Sequence, residues 1–163
     1  MLIFDTDIVS NFRKKKPHPN LLAWFSGVER GSVAVSAFTV FEINVGVELV
    51  RRMDPDKAEQ IEKWLESFVI AGGFDLLPFD ARVGRIYARM FTTPGLASFL
   101  LPDRNSKKPK SGADLIVAAT AIVHGAAVVT ANKNDFLRIN EFFPLPALYD
   151  PFGMEWAVGG AES

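Results

Sequence analysis

Leu2-Ile3-Phe4-Asp5-Thr6-Asp7-Ile8-Val9-Ser10 is the stretch on which the fold turns. Three apolar residues run into Asp-Thr-Asp, three side chains of the kind that cap helices, and apolar residues resume at once. The pattern predicts a short buried strand at Leu2-Ile3-Phe4 followed directly by a helix from about Asp7. That helix should last until Arg13-Lys14-Lys15-Lys16, where Pro17 and Pro19 force a break.

Outward from this unit the same order recurs. Leu21, Leu22, Trp24, Phe25 and Val28 have helical spacing. Val33-Ala34-Val35-Ser36 is short and β-branched, and it leads into a periodic segment from Phe38 to Val50. Asp54-Pro55-Asp56 supplies a cap and an early proline ahead of the stripe Ile61, Trp64, Leu65, Phe68 and Val69, which Gly72-Gly73 ends. Leu76-Leu77-Pro78-Phe79 reads as a short or edge strand, with Asp80 capping a helix whose inner face is Val83, Ile86, Tyr87 and Met90. From Thr92 to Ser111 periodicity gives way to prolines, glycine, serines and the basic run Lys107-Lys108-Pro109-Lys110, which predicts a long loop. Ala113 to Val123 is apolar on nearly every side except at Asp114 and Thr120, as a buried helix would be. Gly125 closes it, and Ala127-Val128-Val129-Thr130 is the next strand. A short helix begins over Asn132 to Phe136, and Ala147-Leu148-Tyr149 is the last strand. Strands alternating with helices predict an α/β three-layer sandwich, a parallel sheet flanked by helices. The expected domain covers residues 1–150, and residues 151–163 are expected to form a partly disordered tail.

Composition narrows the classes of function. At 163 residues and 48% apolar, the chain suffices for one core. The net charge of −1 provides no overall basic surface, so any polyanion must be met by local patches: Arg13 to Lys16, Arg51-Arg52, or Lys107, Lys108 and Lys110. The absence of cysteine excludes disulfides, thiolate metal sites and thiol nucleophiles together. The N-terminus lacks a signal-peptide pattern, and no apolar run approaches the roughly 20 residues that span a bilayer. A cytoplasmic protein with no membrane partner is expected.

In an open parallel sheet, ligands gather at the carboxyl ends of the strands. Three polar clusters follow predicted strands there: Asp5-Thr6-Asp7, the Glu42 region, and Asn132 to Asp135. Asp114 is a fourth position, the sole carboxylate on its helix and within a helical turn of reaching Asp5. Each also has a local reading, since Thr39-x-x-Glu42 and Ser111-x-x-Asp114 fit the capping box and Asn132-x-x-Asp135 resembles it. Burial separates the readings. Glu42 lies among Val40, Phe41, Ile43 and Val45, with no Arg or Lys near it or Asp114 in sequence. Converging buried carboxylates repel unless a cation joins them. Hard oxygen ligands without cysteine, and with His18 and His124 far apart, favour Mg²⁺ or Mn²⁺ over zinc. Such a site that also binds phosphate suits phosphodiester hydrolysis.

The opening Leu2 to Ser10 resembles that of PIN-domain proteins, especially VapC-type toxins, whose apolar strand runs into Asp-Thr-Asn; here Asp7 replaces the Asn. The resemblance continues at Ser36-Ala37-Phe38-Thr39-Val40-Phe41-Glu42-Ile43, at Leu77-Pro78-Phe79-Asp80, and most specifically at Ala113-Asp114-Leu115-Ile116-Val117-Ala118-Ala119-Thr120-Ala121. It closes with Val129-Thr130-Ala131-Asn132-Lys133-Asn134-Asp135-Phe136. It implies a PIN fold and an Mg²⁺-dependent endoribonuclease, the toxin of a VapBC-type toxin-antitoxin system, with RNA as substrate, a cognate antitoxin as partner and a homodimeric state. Asp5, Glu42 and Asp114 match the family's acidic metal positions. The fourth position falls to Asn132 or Asp135, and Thr6 and Thr130 would be hydrogen-bonding supports. The alternatives are a catalytically idle PIN-like binding domain and a haloacid-dehalogenase-like phosphatase. Asp5-Thr6-Asp7-Ile8-Val9 is similar to the phosphatase signature, but the Gly-Asp-x-x-x-Asp metal motif is lacking.

Overall fold

A computed structural model describes residues 1–101 and 112–160, so the basic run at 107–110 lies outside the described residues. The strands are β1 (Leu2–Phe4), β2 (Val33–Ser36), β3 (Asp75–Leu77), β4 (Ala127–Val129), β5 (Ala147–Asp150) and β6 (Glu155–Val158). The helices are α1 (Thr6–Phe12), α2 (Pro19–Phe25), α3 (Ala37–Arg51), α4 (Pro55–Leu65), α5 (Ala81–Phe91), α6 (Ala113–His124) and α7 (Lys133–Phe142). The strands form one sheet in the order β3-β2-β1-β4-β5-β6, in which the first five run parallel and β6 is antiparallel.

The two-residue period of a strand sends successive side chains to opposite faces. Ile3, Ala34, Val128 and Leu148 share one core with Val83 and Met90 of α5, Leu115 of α6, and Phe136 and Ile139 of α7. Phe4, Val33, Val35, Val129 and Tyr149 face the other core, with Ile8, Val9, Leu21, Leu65 and Val69. The α/β/α sandwich expected from the sequence is therefore present. Helix α6 explains its own composition: Leu115 through Ala121 are all buried, and glycines 112 and 125 at its ends adopt left-handed φ values of 64° and 61°. Such a φ favours a residue without Cβ.

The local differences from expectation have physical causes. Helix α1 starts at Thr6 rather than Asp7, because the Asp5 carboxylate accepts the Thr6 amide and caps it. Within the segment expected to be a loop, Pro94–Phe99 forms a 3-10 helix that buries Leu96 and Phe99. Helix α4 runs on through a π-helical turn at Glu66–Ile70, and α7 is ten residues long. Within the tail expected over 151–163, Glu155–Val158 forms strand β6. Asp150 accepts the amides of Phe152 and Gly153, which turns the chain back so that β6 pairs with β5 and Trp156 packs on Tyr149. Among the described residues, no helix is long and apolar enough to cross a membrane.

The two-core arrangement makes a quantitative prediction. Leu148→Ala, at a fully buried position, should cost about 2–5 kcal/mol in urea unfolding. Met53→Ala, at a residue 90% exposed, should stay within about 0.5 kcal/mol of the parent. Equal effects would contradict the assignment of the core.

Candidate active site

Strand order reverses between β1 and β4, because the chain leaves β1 toward β2 on one side and arrives at β4 on the other. This is a topological switch point, and open α/β sheets place their ligand crevice there. Asp5 follows β1, and Thr130 follows β4. Asp5 is only 3% exposed, and Thr130 is fully buried. One Asp5 oxygen accepts the Thr6 amide at 2.7 Å, and the other accepts the Thr130 hydroxyl at 2.9 Å. The Thr130 oxygen in turn accepts the amide of Asn132 at 3.0 Å.

Burial raises the Asp5 carboxyl well above the ordinary carboxylate range. The charge of Asp114 raises it further, and that of the exposed Asp7 adds to this; the Thr130 hydroxyl and Thr6 amide act in the opposite direction. Asp5 and Asp114 thus come from distant parts of the chain to interact at the same crevice. Asp114 occupies the first turn of α6, where the helix dipole favours negative charge. Glu42 stands beside them through Thr6, whose hydroxyl donates to it at 2.8 Å and lies 3.4 Å from the hydroxyl of Thr39.

The capping alternatives resolve residue by residue. The cap of α3 is Ser36, which accepts the Phe38 amide, so Glu42 lies in the helix beyond its start. The N-cap position of α6 is Gly112; Ser111 lies outside the described residues. Asn132 makes no side-chain cap, and its amide group donates to Asp135 at 2.5 Å instead. Asp5 alone of the candidates caps a helix, and it does so from within the acidic crevice.

One expectation needs correction. Glu42 is half-buried rather than enclosed, because it faces a groove between α1, α3 and α4. The groove has a volume of about 410 Å³, and its walls include Thr6, Arg13, Glu42, Val50, Ile61 and Trp64. Among the described residues, no group of three or more acidic or histidine side chains is gathered closely enough to hold a metal ion. The Thr6 hydroxyl is interposed on the Glu42 side. The remaining oxygen donors still suit Mg²⁺, which is held by one or two carboxylates and keeps several waters. The crowding of negative charge on buried Asp5 is what a divalent cation would relieve.

Sequence reasoning did not find the groove or Thr39. The groove forms only when α4 folds back on α3, although the apolar stripes of both helices are visible in the sequence. Thr39 was readable only as a capping residue, yet it is fully buried beside Thr6. Of the basic candidates, Arg13 lines the groove and Lys14 to Lys16 are exposed, whereas Arg51 is paired with Glu48 and Glu62.

The raised Asp5 pKa has a definite sign. In the unfolded chain this group titrates in the ordinary range, and in the folded protein it titrates higher. Its contribution to stability is fully present below the unfolded value and is lost as pH rises through the folded value. Asp5→Asn in metal-free protein should therefore be more stable than the parent above the ordinary carboxylate range. The gap should grow with pH, and the melting temperature should shift by about 2–4 °C for each 1 kcal/mol relieved. A gap that shrank with pH would contradict this electrostatic picture. Thr130→Val removes the donor to Asp5 and the acceptor of the Asn132 amide, and should cost about 1–3 kcal/mol in chemical denaturation.

Comparison with known proteins accords with this geometry. The PIN domain model matches residues 2–141. Toxin FitB of Neisseria gonorrhoeae is 30% identical over 139 residues, covering 83% of this chain and 91% of that protein. VapC ribonuclease Y4jK of Sinorhizobium fredii is 30% identical over 138 residues, covering 83% and 90%. The structure of FitAB bound to an IR36 DNA fragment matches with a TM-score of 0.71 at 27% identity, over 95% of this chain and 98% of that one. FitAcB from Neisseria gonorrhoeae matches at 0.67 and 27%, over 93% and 99%. These matches decide against the phosphatase alternative. They span the sheet from β1 to β4 together with Asp5, Glu42, Asp114 and the Asn132 segment, and the chain belongs to the PIN domain family.

Proposed function

We propose that the protein is a metal-dependent endoribonuclease, the toxin of a VapBC-type pair, acting in the cytoplasm as a homodimer until a cognate antitoxin covers its site. The observation that carries this reading is the buried Asp5 carboxylate at the switch point, with the charge of Asp114 set against it. A buried carboxylate crowded by like charge is costly for a structural role and useful for holding a cation. The names of the relatives, toxin and ribonuclease, point the same way.

Asp5 and Asp114 would hold Mg²⁺, or Mn²⁺, with Glu42 beside them. When bound, the ion supplies positive charge at the scissile phosphate and a more acidic water. The protein supplies the positioning. Thr6 and Thr130 fix the two oxygens of Asp5, and the Thr6 hydroxyl orients Glu42 to hold the attacking water or take its proton. The Asn132–Asp135 pair, linked to Asp5 through Thr130, serves the fourth position as a unit. The groove beside Glu42 would give an antitoxin partner its seat, since an apolar segment laid against Val50, Ile61 and Trp64 would cover the approach to Glu42. The structures of FitAB and FitAcB are of a related toxin named with its partner.

Expression in bacteria with and without the neighbouring gene, beside an Asp114→Asn variant, tests the reading. The parent alone should arrest growth and cleave RNA in proportion to added Mg²⁺. The neighbour should restore growth and co-purify with the chain, and Asp114→Asn should fold normally yet lose at least about 100-fold in cleavage, as removal of a metal ligand does. Cleavage unaffected by Asp114→Asn would sink the site assignment. Growth unaltered in every arm, with no RNA cut at any metal concentration, would leave a catalytically idle PIN-like binding domain.

A further inference from the structure

The segment after β5 is anchored on both sides to elements that begin at the acidic site. Asp150, whose side chain is 10% exposed, uses one oxygen to accept the amides of Phe152 and Gly153 at 2.9 and 3.0 Å. Its other oxygen faces the Lys133 ammonium at 3.5 Å, and the same ammonium pairs with Glu155 at the start of β6. On the opposite flank, Asn20 donates to the Phe152 carbonyl at 2.7 Å. The His18 ring stacks on the Phe152 ring with centroids 4.1 Å apart and planes 8° from parallel. The His18 amide donates to Asn11 of α1 at 2.8 Å.

These contacts form a closed loop that passes through Asp5. Asp5 begins α1, and α1 carries Asn11, which holds His18 and through it Phe152. The turn at Asp150 joins Lys133, the first residue of α7, whose preceding residue Asn132 is bonded to Thr130 and so back to Asp5. The ion pairing in the loop is the Lys133 bridge, in which Asp150 is 10%, Lys133 34% and Glu155 55% exposed. An isolated exposed ion pair contributes little, whereas several charges joined in a network contribute more.

We infer that Lys133 is a positioning residue for the active site: by tying the β5–β6 turn to the first turn of α7, it holds Asn132 and Asp135 against Thr130. The inference rests on the nuclease reading above for its catalytic consequence, but not for its structural one. Lys133 acts through the backbone of the residue before it.

Lys133→Met and Lys133→Arg, each compared with the parent, provide the test. Three measurements are read: thermal unfolding, amide hydrogen exchange of the 130–137 segment against β1 and α6, and RNA cleavage resolved into kcat and KM. Lys133→Met should accelerate exchange in 130–137 while leaving β1 and α6 protected, and should lower kcat by about 10-fold with little change in KM. Lys133→Arg should restore both. Unchanged exchange and kcat in Lys133→Met would overturn the inference. So would exchange that rises equally in every segment, since that reports a general loss of stability. If the parent cuts no RNA, the nuclease reading fails, and the exchange pattern alone decides whether Lys133 positions the Asn132 segment.

Discussion

A carboxylate is ordinarily expelled from a protein interior, and the Asp5 side chain is retained there by two donors and a helix start. Its oxygens take the Thr6 amide and the Thr130 hydroxyl, and its own backbone carbonyl begins the hydrogen bonding of α1. This arrangement demands that β1 and β4 lie side by side, since Thr130 can reach Asp5 only from the adjacent strand end. It also demands that α1 leave the sheet at Thr6. The pairing of β1 with β4 and the direction of α1 are both consistent with keeping that one carboxylate buried and bonded.

The same constraint explains why the acidic residues sit on different elements. The fold distributes the cost: Asp5 ends a strand, Glu42 lies within the long α3, and Asp114 begins a helix otherwise apolar enough to be driven inside. The burial of Leu115 through Ala121 presses α6 onto the sheet, and that packing brings Asp114 toward Asp5. Each full burial of a large apolar side chain contributes about 1.5–3 kcal/mol, enough in sum to offset the repulsion between two carboxylates. Structural energy from the core thus keeps the charge of Asp114 close to buried Asp5.

The C-terminal hairpin extends this logic to the periphery. Its residues are neither apolar enough nor periodic enough to announce a strand, and the glycines at 153, 159 and 160 suggest a trailing tail. What orders it is nonlocal: the Asp150 carboxylate meets the Lys133 ammonium, and the His18 ring meets Phe152, only after β5 has been placed beside β4. The 3-10 helix at Pro94–Phe99 was hidden for a similar reason. Leu96 and Phe99 look like isolated apolar residues in a proline-glycine segment until the α5–α6 face provides a core for them.

By itself the sequence determined the alternation of strands and helices, the two-sided burial of short strands such as Val33-Ala34-Val35, the buried α6, and the identity of the acidic residues. Those features depend on periodicity and on side-chain chemistry, which are local properties. Only the tertiary structure decided that Asp5 both caps α1 and faces Asp114, that Ser36 rather than Thr39 caps α3, and that Glu42 opens onto a groove beside α4. It alone decided, too, that Asn132 bonds to Thr130 and Asp135 instead of capping its helix. Each of these depends on which partner is nearest in space, and that is set by strand order and core packing between residues as far apart as Asp5 and Thr130.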